Sequence, residues 1–170
     1  MNASTPEIPR SPGEHARIIE TNSPEQTEQI GAWLAHVLPD GCVVALFGDL
    51  AAGKTCLTRG MASVFGAKAI HSPTFTLENR YGTPPRQLIH LDLYRLPGPH
   101  ALTDLGWEES FEPETGLCVI EWADRAMDWL PPLRVDVRIY HAGNNRRRVE
   151  IEPVHPDITL PEFPVFSDMA

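Results

Sequence analysis

Eight consecutive residues, Gly48-Asp49-Leu50-Ala51-Ala52-Gly53-Lys54-Thr55, satisfy the pattern G-x-x-x-x-G-K-[ST], whose residue types suit a phosphorylated ligand. Glycines let backbone N–H groups turn toward phosphate oxygens, and a helix starting at the end of the loop adds positive potential. Lys54 is placed to bridge terminal phosphates, and the Thr55 hydroxyl to ligate Mg²⁺. The chain has only two lysines, Lys54 and Lys68, against twelve arginines, so one of the two stands where this chemistry needs it. From ordinary residue frequencies the pattern arises by chance in roughly one of 200 chains of this length. Hydrolysis would further require an acid beside the metal and a group that orients the attacking water. Glu121 closes the apolar run Leu117-Cys118-Val119-Ile120, and Asp92 closes Leu88-Ile89-His90-Leu91. The competing reading of each acid is a solvated carboxylate at a strand end. A guanine-reading Asn-Lys-x-Asp element is absent, since Lys68 lies in Ala67-Lys68-Ala69-Ile70, and this favours ATP over GTP.

The elements that must position these groups can be read from periodicity. Cys42-Val43-Val44-Ala45-Leu46-Phe47 is a continuous apolar run bounded by turn signals, the pattern of a strand buried on both faces of a parallel sheet. Leu57, Met61, Val64 and Phe65 mark the helix after the loop, and Gly66 ends it. Upstream, 17–20 reads as a short strand. Ser23-Pro24-Glu25-Gln26 then opens a helix, with Ser as N-cap, Pro at N1 and Gln reaching back. Its apolar face is Ile30, Trp33, Leu34, Val37 and Leu38, stopped by Pro39-Asp40-Gly41. Strand-like pieces at 75–81 and 88–91 flank Thr83-Pro84-Pro85, and 135–140 with 149–151 reads as a hairpin across Gly143-Asn144-Asn145. The expected fold is α/β: a mostly parallel sheet of phosphate-loop NTPase type flanked by helices, with a C-terminal antiparallel hairpin. The expected organisation is one domain over 17–152, with a flexible tail at 1–16 and a Pro-rich tail at 153–170.

Composition narrows the function classes. The 170 residues carry 14 Lys plus Arg against 23 Asp plus Glu, a net charge of −9, which argues against a protein that grips a nucleic-acid backbone alone. No apolar run reaches the length of a membrane helix and the first residues hold no signal-peptide core, so the expected location is cytosolic. Cys42, Cys56 and Cys118 show no metal or redox spacing and are expected to be reduced, partly buried thiols.

Four blocks together resemble the TsaE (YjeE) family, the ATPases of bacterial tRNA threonylcarbamoyladenosine biosynthesis. They are the loop running on to Thr58-Arg59-Gly60, then Ser72-Pro73-Thr74-Phe75, His90-Leu91-Asp92-Leu93-Tyr94-Arg95-Leu96, and Ile120-Glu121-Trp122. The resemblance spans about 18–152. It implies that Lys54 and the loop backbone at Asp49, Leu50, Ala51, Ala52, Gly53, Thr55 and Cys56 hold ATP phosphates, and that Thr55 with Glu121 holds Mg²⁺. It further implies that Asp92 is the second acid needed for hydrolysis, that Thr74 lies in a switch-like loop, and that Trp122 lies beside the nucleotide. The base would border the junction at 23–25. The implied partners are TsaD and TsaB, with tRNA reached only through that complex. Core packing for Trp122, strand support for Thr74 and a solvated charge for Arg95 are the competing readings.

Two departures from the family's pattern stand out. Ala51 occupies a position where the family usually has Gly, so either φ is negative there or ATP affinity suffers. The family tends to place Gly-Arg in the last hairpin, whereas this chain has Gly143-Asn144-Asn145 before Arg146-Arg147-Arg148, so no nucleotide-contacting arginine is assigned there; the three arginines read as a solvated edge strand, or else as contacts to an acidic partner or tRNA. A small-molecule kinase and a nucleotide-gated binding module with negligible turnover are the rival functions.

Overall fold

The computed structural model describes residues 16–71, 73, 77–96 and 108–166. Among them seven strands form one mixed sheet: β1 (Arg17–Thr21), β2 (Val43–Phe47), β3 (Glu78–Thr83), β4 (Arg86–Asp92), β5 (Gly116–Glu121), β6 (Arg134–His141) and β7 (Arg147–Pro153). Their spatial order is β1-β7-β6-β2-β5-β4-β3. The four central strands, β6, β2, β5 and β4, run parallel, and antiparallel neighbours are added at both sides. The parallel centre and the β6–β7 hairpin agree with the sequence expectation of an α/β fold.

Burial explains the strand patterns. Cys42, Val43, Val44, Ala45 and Leu46 are fully buried because both faces of β2 are covered. One face meets α1 (Pro24–Val37) and α2 (Lys54–Val64) through Ile30, Trp33, Leu34, Leu57 and Met61. The other is closed by Leu93, Leu96, the short α3 (Glu108–Phe111), and the 3₁₀ segment Ala123–Trp129, with Phe111, Ala123 and Ala126 buried. Alternation along β4 and β5 follows from this layering. Leu88 on β4 and Leu117 and Val119 on β5 face α1 and α2, so the positions of the same parity further along, His90, Asp92 and Glu121, face that way too.

The start of α1 follows its sequence signal, with one difference in detail. The Ser23 hydroxyl accepts the Gln26 N–H at 3.3 Å, while the Gln26 side chain accepts the N–H of Asn22 at 2.7 Å, one residue before the cap. The apolar stripe of α1 is wider than its large residues suggest, because Thr27, Gly31 and Ala35 are buried as well. They form the face that meets α2, and the two helices touch backbone to backbone. A methyl group at Gly31 would overlap the Leu57 carbonyl oxygen, and one at Gly60 would overlap the Glu28 carbonyl oxygen.

Two regions differ from the sequence reading. β7 is an interior strand between β1 and β6, so the three arginines do not mark a sheet edge. Residues 154–166, expected to form a tail, lie on the domain. Ile158 and Leu160 are buried, the Arg17 guanidinium donates to the Leu160 carbonyl at 3.0 Å, and the Phe163 ring stands edge-on to Trp33 at 5.3 Å. Composition misled here because an irregular, Pro-rich segment can still bury isolated apolar side chains without any periodicity.

The helix contact yields a stability prediction. Gly60→Ala is expected to destabilise the domain by about 2 kcal/mol or more, because a rigid backbone carbonyl cannot yield as a side chain would. Urea unfolding should show the lower midpoint with an unchanged slope.

Candidate functional site

The loop 48–53 leaves the C-terminal end of β2 and delivers the chain into α2 at Lys54. Its conformation uses positive φ at three positions: Gly48 at 146°, Ala51 at 61° and Gly53 at 119°. Gly48 also lies so close to β6 that a Cβ would meet the Ile139 carbonyl oxygen at 2.6 Å. Gly53 is the N-cap of α2 and offers no side chain, so the first N–H groups of the helix are not capped by one. The positive φ of Ala51 rules out the first of the two alternatives posed for it, a negative φ.

Lys54 turns back over this loop. Its Nζ donates to the carbonyls of Gly48 at 2.6 Å and Asp49 at 2.8 Å, and lies 3.8 Å from the centroid of the Trp122 ring. Burial pushes the ammonium below the ordinary lysine range, against an opposite pull from Glu121, Asp124, Asp92 and Asp49. A polyanion in the cleft would act with those carboxylates and favour the charged form. Trp122 itself has φ 59° and ψ 44°, an unusual conformation for a bulky residue, at the junction between β5 and the 3₁₀ segment. Its ring is held between the Lys54 ammonium and Tyr94, whose centroid is 4.9 Å away.

Glu121 is the centre of the polar cluster. It is 2% exposed, and three donors from two elements converge on its carboxylate. Thr55 donates to Oε2 at 2.9 Å, His90 Nε2 donates to Oε1 at 2.9 Å, and the Thr58 hydroxyl, which also reaches the Lys54 carbonyl at 3.0 Å, lies 3.4 Å from Oε1. The other ring nitrogen of His90, Nδ1, is buried without a hydrogen-bond partner. Asp92 is Glu121's neighbour across the β4–β5 ladder, and its Oδ1 accepts the Tyr94 N–H at 3.0 Å. The Thr55 hydroxyl and the Glu121 carboxylate are oxygen donors of the kind a hard divalent cation takes, with phosphates and water completing its shell. Among the described residues no group of three or more His, Cys, Asp or Glu is arranged to hold a metal by protein ligands alone.

These groups line a cleft of about 300 Å³ bounded by Leu50, Ala51, Gly53, Lys54, Thr55, Cys56, Asp92, Tyr94, Glu121 and Trp122. The structure thus gathers most of the sequence-derived candidates into one place. Asp49 and Ala52 complete the loop beneath it, and Thr74 lies outside the described residues. A larger groove of about 730 Å³, between Arg17, Val154 and Leu160, contains none of these groups.

Three contributors to the cluster carry no role in the sequence reading. His90 and Thr58 are two of them, and both carry a positional signal: His90 lies two residues before Asp92 on the same strand face, and Thr58 lies one turn after Lys54 on the same helix. Arg147 is the third. Its Nε donates to the Ala52 carbonyl at 2.7 Å, from a strand ninety-five residues away in sequence, and no local pattern announces that contact.

A family model described as Threonylcarbamoyl adenosine biosynthesis protein TsaE matches residues 21–149. The chain belongs to the TsaE family. It is 36% identical over 135 residues to the tRNA threonylcarbamoyladenosine biosynthesis protein TsaE of Bacillus subtilis, a match covering 79% of this chain and 84% of that protein. The TsaE protein of a Nostoc species is 37% identical over 139 residues, covering 79% and 85%. The crystal structure of Bacillus subtilis YdiB superposes with a TM-score of 0.70 at 32% identity, covering 84% of this chain and 88% of that one. The TsaE match includes the loop, Asp92, Glu121 and Trp122, and ends within β7 after Arg147.

Cys56 gives a pH-dependent prediction at this site. Burial, with Glu28 adding to it, raises its thiol to about 11, and the Sγ donates to the Pro24 carbonyl at 3.1 Å. Because the thiolate is the reactive form, the alkylation rate of Cys56 in the folded protein is expected to rise about tenfold per pH unit from 8 to 10. Peptide mapping after iodoacetamide treatment reads this directly; a plateau near pH 9 would contradict the burial argument.

Proposed function

We propose that this chain binds and hydrolyses ATP with Mg²⁺, and that the hydrolysis drives or resets the assembly that makes N6-threonylcarbamoyladenosine in tRNA. The observation that carries this reading is the convergence of Lys54, Thr55 and Glu121 at the mouth of the loop, with Thr55 and Glu121 joined at 2.9 Å. Family membership supports the purpose, since the relatives' names place them in that biosynthesis.

The residues fit the implied groups. The backbone of 49–53 and the uncapped first turn of α2 suit phosphate oxygens, and Lys54 would exchange its two carbonyl partners for the terminal phosphates. Thr55 and Glu121 would hold Mg²⁺, which when bound neutralises developing charge on the phosphates. Of the chain's own groups, Trp122 covers Lys54 and excludes water from it, and His90 with Thr58 orients Glu121. Asp92, 4% exposed beside Glu121, is the acid suited to orienting the attacking water. Thr74 keeps its role as a γ-phosphate-responsive hydroxyl as part of this proposal.

The partners proposed are TsaD and TsaB, with tRNA engaged through them. The net charge of −9 supports that division, because a strongly acidic chain is repelled by the tRNA backbone. No helix among the described residues is long and apolar enough to cross a membrane. A cytoplasmic site of action is part of the proposal.

Steady-state ATP hydrolysis with Mg²⁺, measured alone and with TsaD–TsaB, is the direct test. Stimulation by the pair is expected; a phosphorylated metabolite as product would instead support a kinase. Lys54→Ala and Glu121→Gln are each expected to lower kcat by about 100-fold or more while the circular dichroism spectrum stays native. Asp92→Ala should retain ATP binding and lose turnover. Full function of the complex with that variant would mean that nucleotide binding alone does the work.

A further inference from the structure

Ala51 holds φ at 61°, a conformation that a Cβ disfavours. A backbone kept in such a region persists only where its surroundings over-determine it. Here the restraint comes from the far end of the chain. Arg147, at the start of β7, donates from Nε to the Ala52 carbonyl at 2.7 Å and from Nη2 toward the Ala51 carbonyl at 3.5 Å. Its Nη1 donates to the carbonyls of Arg146 at 2.8 Å and Asn144 at 3.1 Å. One planar cation therefore ties two consecutive loop carbonyls to the turn of the β6–β7 hairpin. Gly48, at the other end of the loop, abuts the Ile139 carbonyl on the same hairpin, so the loop is seated on that hairpin at both ends.

We infer that Arg147 is a positioning residue for the phosphate loop, holding the Ala51-Ala52 backbone in the conformation that Ala51 would otherwise leave. This rests on the reading of residues 48–55 as a phosphate site. The four hydrogen bonds of the guanidinium all end on backbone carbonyls, so Arg147 acts through the loop. A guanidinium is suited to this because its N–H groups are fixed in a planar fork, whereas an ammonium is a single point of charge. Of the three consecutive arginines only the middle one reaches the loop; Arg146 and Arg148 pair with Glu20 at 3.4 Å and Glu150 at 2.8 Å.

A double-mutant cycle tests it, using equilibrium titration with a fluorescent ATP analogue in Mg²⁺. Arg147→Ala is expected to weaken binding about tenfold, and Arg147→Lys to restore little of it. In the Ala51→Gly background, where the left-handed conformation carries no penalty, the same Arg147→Ala change is expected to cost about threefold or less. An equal loss in both backgrounds would mean that Arg147 meets the nucleotide itself, and would overturn the inference, as would no loss in either. Amide hydrogen exchange over residues 49–56 without nucleotide is the second readout, and Arg147→Ala should accelerate it. Unchanged exchange would overturn the inference whatever the nucleotide result. If the unsubstituted protein binds no ATP but the exchange difference is present, the phosphate reading fails and the positioning role stands.

Discussion

The carboxylate of Glu121 is the interaction on which the site is assembled. A charge at 2% exposure is costly unless hydrogen bonds replace the water it gave up. Thr55 and Thr58 supply them from α2, and His90 from β4. The same bonds therefore stabilise the ion, and those from Thr55 and Thr58 tie β5 to the start of α2. The glycine-rich loop is the short link between β2 and that helix start.

Charge balance around Lys54 extends the same logic. Its ammonium is buried and pushed toward the neutral form, yet four carboxylates pull it back, and two loop carbonyls and an aromatic face solvate it. The ammonium is thus held by groups that bind it less strongly than a phosphate would. Trp122 adopts a left-handed backbone to reach that position, a local cost placed where it shapes the cleft.

Much of this was legible in the sequence, for physical reasons that differ from residue to residue. The loop is contiguous, and contiguous chemistry leaves a motif. Strand β2 is buried on both faces, so its apolar run is unbroken. Glu121 and Asp92 end apolar runs, and that placement follows from the mouth of a parallel sheet. The rest depends on tertiary neighbours. Arg147 reaches Ala52 because the β6–β7 hairpin, itself local, lies beside β2, and on its other side β7 pairs with β1, whose residues are more than a hundred positions away; no local pattern encodes either neighbour. The pairing with β1 turns a run of arginines that reads as an edge into an interior strand. Ile158, Leu160 and Phe163 lie in a stretch without helical or strand period, so their burial had no periodic signal to announce it.

The contact between α1 and α2 bears on how such sequences are compared. Gly60 stands six residues after Lys54, within the stretch Thr58-Arg59-Gly60 that helps make the family recognisable. Anyone comparing relatives would naturally count it with the nucleotide chemistry. Its side is turned instead to the Glu28 carbonyl, where any atom beyond hydrogen would force two helices apart. The packing demand at position 60 would be the same in a chain stripped of every catalytic group. A residue beside a nucleotide loop can thus be fixed by how closely two helices approach, and its presence then testifies to architecture before it testifies to activity.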